Sequence, residues 1–210
     1  MIKPLGIKEF NKIKDELNCL IIDTRLPDYF ENGFITGSIN IPLKDAFEEL
    51  LSLIAETDKQ LLFIFKPSTE ATAIERIEKA GITNIAGYLL GGFDTWLNHI
   101  DKYDMVISIS SEELVLDALH NEKAIIIDVR SEDEYKQSHI KQAINIPLQM
   151  LLQKPNKLNP NDETLIYCEN GDNSMLAASY LKHKGLKNVK NVWGGFKRIS
   201  VEPKFEAVKS

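Results

Sequence analysis

Leu20-Ile-Ile-Asp-Thr-Arg-Leu-Pro-Asp-Tyr-Phe-Glu-Asn-Gly-Phe-Ile-Thr-Gly-Ser-Ile-Asn-Ile-Pro-Leu43 returns about 105 residues later as Ile125-Ile-Ile-Asp-Val-Arg-Ser-Glu-Asp-Glu-Tyr-Lys-Gln-Ser-His-Ile-Lys-Gln-Ala-Ile-Asn-Ile-Pro-Leu148. Asp, Arg, Ile and Asn-Ile-Pro-Leu recur in register. A second block repeats as well: Gly81-Ile-Thr-Asn-Ile85 and Leu89-Leu-Gly-Gly-Phe93 match Gly185-Leu-Lys-Asn-Val189 and Val192-Trp-Gly-Gly-Phe196. The period is too long for a stacked solenoid, and each copy is large enough for its own core, so the pattern predicts a tandem duplication of one domain.

Within each copy, short continuous apolar runs alternate with amphipathic stretches, as expected of strands buried on both faces between helices. The fold class read from this is α/β. Ala124–Asp128 and Thr164–Cys168 are strand candidates, and Met175–Lys184 is a helix stopped by Gly185. Ser110-Ser-Glu-Glu113 reads as a capping box, which places a short polar linker in Ile100–Val106. The domains are therefore expected at 1–103 and 107–201. The tail, 202–210, carries no clear periodicity and is expected to be partly disordered.

Of 210 residues, 25 are Lys or Arg and 31 are Asp or Glu, a net charge of −6. That balance argues against non-specific binding of nucleic acid or an anionic membrane, since both need a concentrated positive field. No apolar run approaches the roughly 20 residues of a membrane-spanning helix, and Met1-Ile-Lys-Pro-Leu-Gly6 lacks a signal-peptide layout, so a cytoplasmic protein is expected. The two cysteines, Cys19 and Cys168, form no CxxC pair or Cys/His cluster. His99, His120, His139 and His183 are isolated from one another, and no residue pattern calls for a metal or an organic cofactor. Any cysteine chemistry must be that of a thiol.

Cys168 closes an apolar run and opens the stretch Glu169-Asn-Gly-Asp-Asn-Ser174, directly before the helix. Read as a six-residue turn, Glu169, Asn170, Gly171, Asp172, Asn173 and Ser174 can turn backbone N–H groups toward the sulfur. The helix N-terminus adds partial positive charge and favours a thiolate. Gly171 permits positive φ, and Asn170 and Asn173 tolerate it better than most residues. The carboxylates of Glu169 and Asp172 act in the opposite direction and repel anions. Cys19, beside a strand and away from any loop, reads as an inert small hydrophobe.

These residues resemble the rhodanese family: Asp128-Val-Arg130, Glu134-Tyr135, His139-Ile140, Ala143-Ile-Asn-Ile-Pro147, a cysteine opening a six-residue loop, and Trp193-Gly-Gly-Phe196. The resemblance covers nearly the whole chain, twice. It implies two domains, each a mainly parallel five-stranded sheet flanked by helices on both faces. It also implies a sulfurtransferase in which Cys168 takes up sulfane sulfur as a persulfide and hands it to a thiophilic acceptor. The family loop commonly carries Arg just after the cysteine, and Arg or Thr four residues beyond that. Here those positions are Glu169 and Asn173, so thiosulfate is expected to be a poor donor. A persulfide on a protein, or on a small thiol such as glutathione, fits better. The tandem further resembles the C-terminal part of fusions between a metallo-β-lactamase-fold persulfide dioxygenase and rhodaneses, which makes such a domain or protein an expected partner. The HxHxDH motif of that fold does not occur in this chain.

The first copy lacks the nucleophile: Ile64 or Phe65 stands at the cysteine position, Phe34 replaces the histidine and Pro67 removes a loop donor. It is expected to be catalytically silent; it keeps the fold-shaping residues Asp23, Arg25, Asn40 and Pro42, so a structural or docking role is expected of it. In the second copy Asp128, Arg130 and Glu134 read as loop-fixing and helix-capping residues rather than an acid–base set. His139 reads as structural rather than as a base for Cys168. Trp96 and Trp193 read as packing residues, and Gly194 and Gly195 as a close turn near the site. Three function classes stand at this point: a sulfurtransferase, a non-catalytic interaction or regulatory pair, and a cysteine phosphatase or arsenate reductase. The last is disfavoured because Ser174 occupies the position where such loops carry Arg.

Overall fold

A computed structural model describes residues 2–17, 19–55, 58–100, 102–120, 124–154, 158–205 and 207–209. The chain divides into two compact units, Met1–Met105 and Val106–Ser210. The first runs β1 (Pro4–Leu5), α1 (Ile7–Glu16), β2 (Leu20–Asp23), α2 (Pro27–Phe30), β3 (Ile39–Asn40), α3 (Phe47–Ala55), β4 (Leu61–Ile64), α4 (Glu70–Lys79), β5 (Ile85–Leu89) and α5 (Gly92–His99). The second runs β6 (Ile107–Ile109), α6 (Ser111–His120), β7 (Ile125–Asp128), α7 (Glu132–Gln137), β8 (His139–Ile140), β9 (Ile144–Asn145), α8 (Leu148–Gln153), β10 (Thr164–Tyr167), α9 (Asp172–His183), β11 (Val189–Val192), α10 (Gly195–Ile199) and β12 (Ala207–Val208).

Each unit holds a five-stranded parallel sheet, ordered β1-β5-β4-β2-β3 in the first and β6-β11-β10-β7-β9 in the second. The central strands β2, β4 and β10 are buried along their whole length, as strands covered by helices on both faces must be. In the first unit α1 packs on β5 and α5, while α3 packs on α4; in the second α6 packs on α10, and α8 on α9. The cores correspond: Leu62, Ile64, Leu89 and Phe93 in one unit occupy the places of Leu165, Tyr167, Val192 and Phe196 in the other. No helix of the described residues is long and apolar enough to cross a membrane.

The capping box read at Ser110 and Glu113 forms reciprocally, the Glu113 N–H donating to the Ser110 hydroxyl at 3.1 Å and the Ser110 N–H to the Glu113 carboxylate at 2.7 Å. Two expectations are corrected. The tail is not a separate segment: β12 pairs antiparallel with β8, and the Phe205 ring meets the edge of Phe196 at 5.7 Å. A two-residue strand is too short to leave a period in the sequence. The helix after the cysteine begins at Asp172 rather than Met175, because Gly171 at φ 98° caps it in the left-handed region. Asp172, Asn173 and Ser174 are thus its first turn, and the irregular loop is Glu169–Gly171.

In the first unit Arg76 of α4 clasps Glu48 of α3, with Nε 2.8 Å from one carboxylate oxygen. The Arg76 hydrogen bond, followed by a backbone one, holds the Glu48 carboxyl down at about 2, against an ordinary 4.5. A group whose folded pKa is depressed stabilises above its unfolded pKa, and that stabilisation is lost as pH falls through the folded value. Thermal unfolding is therefore expected to lose a Glu48-dependent increment between pH 4.5 and about 2. Arg76→Gln should flatten that part of the profile.

Candidate functional site

The second unit builds its site at the C-terminal ends of β7 and β10, starting from a buried ion pair. Asp128 ends β7, and its carboxylate accepts the Arg130 backbone N–H at 2.9 Å, Nε at 3.1 Å and Nη2 at 2.7 Å. Arg130 Nη2 also donates to the Ser138 carbonyl at 2.8 Å, and its guanidinium lies 3.6 Å from the Phe196 ring centre. Burial works against the Arg130 charge, yet the hydrogen bonds and charge of Asp128 more than offset it, so its pKa is raised. Asn145 bridges the turn by donating to the carbonyls of Asp128 and Arg130, both at 3.0 Å. The first unit repeats this arrangement with Asp23, Arg25 and Asn40, down to the Arg25 hydrogen bond to the Gly33 carbonyl. The Asp–Arg–Asn set therefore belongs to the fold, since it is complete in the unit without a nucleophile.

Glu134 does not pair with Arg130. Its carboxylate accepts the Ser131 N–H at 3.0 Å, and the Ser131 hydroxyl accepts the Glu134 N–H, which closes a capping box on α7. The partner of Arg130 beyond Asp128 is Glu169, whose carboxylate stands 3.6 Å from Nη1. His139 is buried and stacked on Tyr135 with ring centres 3.7 Å apart, its Nδ1 2.7 Å from the Tyr135 carbonyl. Phe30 and Phe34 form the same stack in the first unit, at 4.0 Å, which identifies the histidine position as half of an aromatic pair.

Cys168 follows β10 directly and is only 2% exposed. Its Sγ accepts the Gly171 N–H at 3.1 Å and faces the Ser174 hydroxyl at 3.3 Å, while the thiol lies 3.8 Å from Asn170 Oδ1. Among the described residues, the only backbone amide that reaches the sulfur is that of Gly171. Ser174 contributes its side chain instead, and that hydroxyl also reaches the Gly171 carbonyl at 3.2 Å. Its single proton can serve one acceptor at a time, so a charged sulfur would draw it away from the carbonyl. Asp172 donates its N–H to Asn170 Oδ1 and accepts Asn170 Nδ2, both at 3.2 Å, which locks the Asn170 side chain over the turn. Asn173 is exposed, and among the described residues no hydrogen bond ties it to the sulfur. Burial, then the nearby Asp128 carboxylate, push the Tyr167 phenol well above its usual range, so it remains a neutral hydroxyl at the base of the site.

The loop rests on α10. Phe196 N–H donates to the Cys168 carbonyl at 2.7 Å and Lys197 N–H to the Glu169 carbonyl at 3.0 Å. Gly195 makes this approach possible, since a Cβ there would stand 2.3 Å from the Cys168 carbonyl oxygen. Trp96 is buried as read from the sequence, but Trp193 is 51% exposed and is no packing residue. Val192 before it is buried while its own ring is left exposed, with the Arg198 guanidinium 5.2 Å from the ring centre.

Strand register settles which residue of the first unit replaces the cysteine. Asp23 pairs with Ile64 and Asp128 with Tyr167, so the next residues, Phe65 and Cys168, are equivalent. Phe65 is buried against Tyr88, with ring centres 4.9 Å apart, and cannot carry sulfur. Along the same alignment Pro67 stands for Asn170, and Ser68, forced to φ 71°, stands for Gly171. Cys19 lies in the first unit with its thiol 3.6 Å from the Ile13 carbonyl, and burial pushes its pKa up.

The chain is similar in sequence to several known proteins. The chain is 40% identical over 77 residues to the putative sulfur carrier protein YrkF of Bacillus subtilis, covering 37% of this chain and 42% of that protein. It is 40% identical over 76 residues to the uncharacterized protein YqhL of the same organism, covering 36% of this chain and 60% of that protein. It is 33% identical over 72 residues to the thiosulfate sulfurtransferase GlpE of Coxiella burnetii, covering 34% of this chain and 67% of that enzyme. The chain thus spans about half the length of the two Bacillus proteins. A crystal structure of a rhodanese-like domain protein from Staphylococcus aureus is 30% identical, with a TM-score of 0.44 over 50% of this chain and 100% of that one. The pattern of the rhodanese-like domain matches residues 7–99 and again 111–202, so a chain that twice builds the Asp–Arg–Asn turn and once sets a cysteine above it belongs to the rhodanese-like domain family.

Proposed function

We propose that the chain is a sulfurtransferase that carries sulfane sulfur on Cys168, from a low-molecular-weight or protein persulfide to a thiol acceptor. The observation that carries this reading is the position of Sγ, which faces the Gly171 N–H and the Ser174 hydroxyl at the start of α9. Both donors suit a sulfur that holds negative charge before and after transfer. In the first step the Cys168 thiolate attacks the outer sulfur of a donor R–S–S–H. The donor's S–S bond breaks, and its electron pair leaves with the inner sulfur as R–S⁻, giving Cys168–S–S–H. In the second step the acceptor thiolate attacks that outer sulfur and Cys168 departs as thiolate, so no external oxidant is consumed. A persulfide dioxygenase of metallo-β-lactamase fold, as a domain or a separate protein, would draw on the same small-thiol persulfides. The first unit takes no part in the chemistry, because Phe65 holds the cysteine position, and serves structure or docking.

The test is to incubate the reduced chain with glutathione persulfide and locate the added mass of one sulfur atom by peptide mass spectrometry. Mass on the Cys168 peptide, absent from Cys168→Ser, is the expected result. A reduced Cys168 that gains no sulfur from any donor would overturn the reading and leave the tandem as a binding module.

Thiosulfate is expected to load the protein poorly. Arg130, the cation paired with Glu169 of the loop, is already engaged by Asp128, and Asp172 at the start of α9 adds a second carboxylate. Removing both loop charges in Glu169→Gln/Asp172→Asn should raise thiosulfate loading by about tenfold relative to a neutral persulfide, as expected for a divalent anion near two carboxylates. The ratio of the two loading rates, measured in parallel, checks this.

A further inference from the structure

The two units differ beside the loop as well as within it. Trp193-Gly194-Gly195-Phe196-Lys197-Arg198 in the second unit corresponds to Leu90-Gly91-Gly92-Phe93-Asp94-Thr95 in the first. The second glycine of each pair makes the same backbone approach, Gly195 to the Cys168 carbonyl in one unit and Gly92 to the Phe65 carbonyl in the other. The flanking side chains are not conserved between the units. Where the loop holds a cysteine, the strip whose backbone supports it carries an exposed tryptophan and two cations; where the loop holds phenylalanine, the same positions are leucine, an acid and a neutral hydroxyl.

Lys197 and Arg198 are exposed, and among the described residues neither stands in a salt bridge, although the chain as a whole is acidic. Arg198 lies across Trp193 at 5.2 Å, and its Cγ occupies the space that a Cβ on Gly194 would need, so its stem is held against the backbone that supports the loop. The Lys197 backbone N–H binds the Glu169 carbonyl, which ties this strip to the loop itself.

We infer that Trp193, Lys197 and Arg198 form a recognition ledge for the carboxylate-bearing portion of a small thiol persulfide whose sulfane sulfur is delivered to Cys168. The ledge accounts for how an anionic donor can be accepted at a turn bearing Glu169 and Asp172: its charge is received on the adjoining strip, which the Lys197 N–H ties to the Glu169 carbonyl. The sulfur transfer itself is the step written above, and this inference rests on that reading.

The experiment compares two donors on the intact chain, glutathione persulfide, which carries carboxylates, and 2-hydroxyethyl persulfide, which is neutral. The measured quantity is the ratio of kcat/KM for sulfur loading of Cys168 by the two. Lys197→Ala/Arg198→Ala should lower the ratio about tenfold, the change expected from losing two exposed charge contacts. Trp193→Leu, which installs the residue of the first unit, should lower it about threefold. Rising ionic strength should erode the ratio of the unmodified chain toward that of the double variant. A ratio unmoved by either substitution, or losses equal for both donors, would overturn the ledge while leaving Cys168 as sulfur carrier. Failure of both donors to load the unmodified chain would instead remove the sulfurtransferase reading, and the ledge with it.

Discussion

Gly195→Ala is expected to slow sulfur uptake by Cys168 about a hundredfold, an effect produced entirely through the backbone. An added Cβ would stand 2.3 Å from the Cys168 carbonyl oxygen, 2.7 Å from the Glu169 carbonyl carbon and 2.8 Å from the Asn170 nitrogen. All three are main-chain atoms, so no side chain can swing aside to relieve the contact. The residue also sits at φ 58°, which adds about 1 kcal/mol or more of local strain for alanine. The cheapest relief is to push the loop away from α10, which breaks the Phe196 and Lys197 N–H bonds to the Cys168 and Glu169 carbonyls and moves Sγ off its donors. Gly185→Ala is the control, because that residue has a left-handed φ of 98° but nothing within 4 Å of the new Cβ. It should cost stability of the same local kind and leave sulfur loading intact. Loading rates for the two variants, measured side by side, separate the collision from the strain. Equal loading by both would sink the argument.

Arg130→Met is expected to destabilise the second unit by about 3–5 kcal/mol, the usual cost of stranding one member of a buried ion pair. Asp128 is completely buried, and its carboxylate would lose three of the side-chain contacts that compensate its charge. The Ser138 carbonyl would lose its guanidinium donor, and the Phe196 ring the cation packed 3.6 Å from its centre. Arg130→Lys should rescue little, since a single ammonium cannot reproduce a forked guanidinium that binds both carboxylate oxygens and a carbonyl at once. The double variant Asp128→Leu/Arg130→Met should recover a substantial part of the loss, because no charge is then left buried. Hydrogen exchange of the β7 and β10 amides in the intact chain reads the effect within the unit concerned. Unchanged protection in Arg130→Met would show that the pair is not needed to hold the turn.

Much of the fold is legible in the sequence because its determinants are local. Continuous apolar runs such as Leu20–Ile22 and Ile125–Ile127 announce buried parallel strands, and the Ser110–Glu113 spacing announces a helix start. The duplication is visible as a repeat of identical turn residues. Cys168 stands out at the end of an apolar run before a helix, which is also a local signature. Other features of the site leave no local signal. Ser174 looks like one more loop residue until Gly171 starts the helix early and turns the hydroxyl onto the sulfur. That Glu134 turns to the Ser131 N–H while Glu169 meets Arg130 depends on where the loop returns, which the spacing of the acids does not show.

By itself the sequence determined two copies of one α/β domain, a single loop cysteine in the second, and an acidic chain with no cysteine framework. The tertiary structure alone decided that Phe65 rather than Ile64 replaces the cysteine, that Trp193 lies outside the core, and that the tail closes on β8. The physical reason is the same in each case. Periodicity and capping act within one or two turns of chain, whereas register, exposure and tail docking are set by contacts between segments far apart in sequence, and the local pattern does not encode which surfaces will meet.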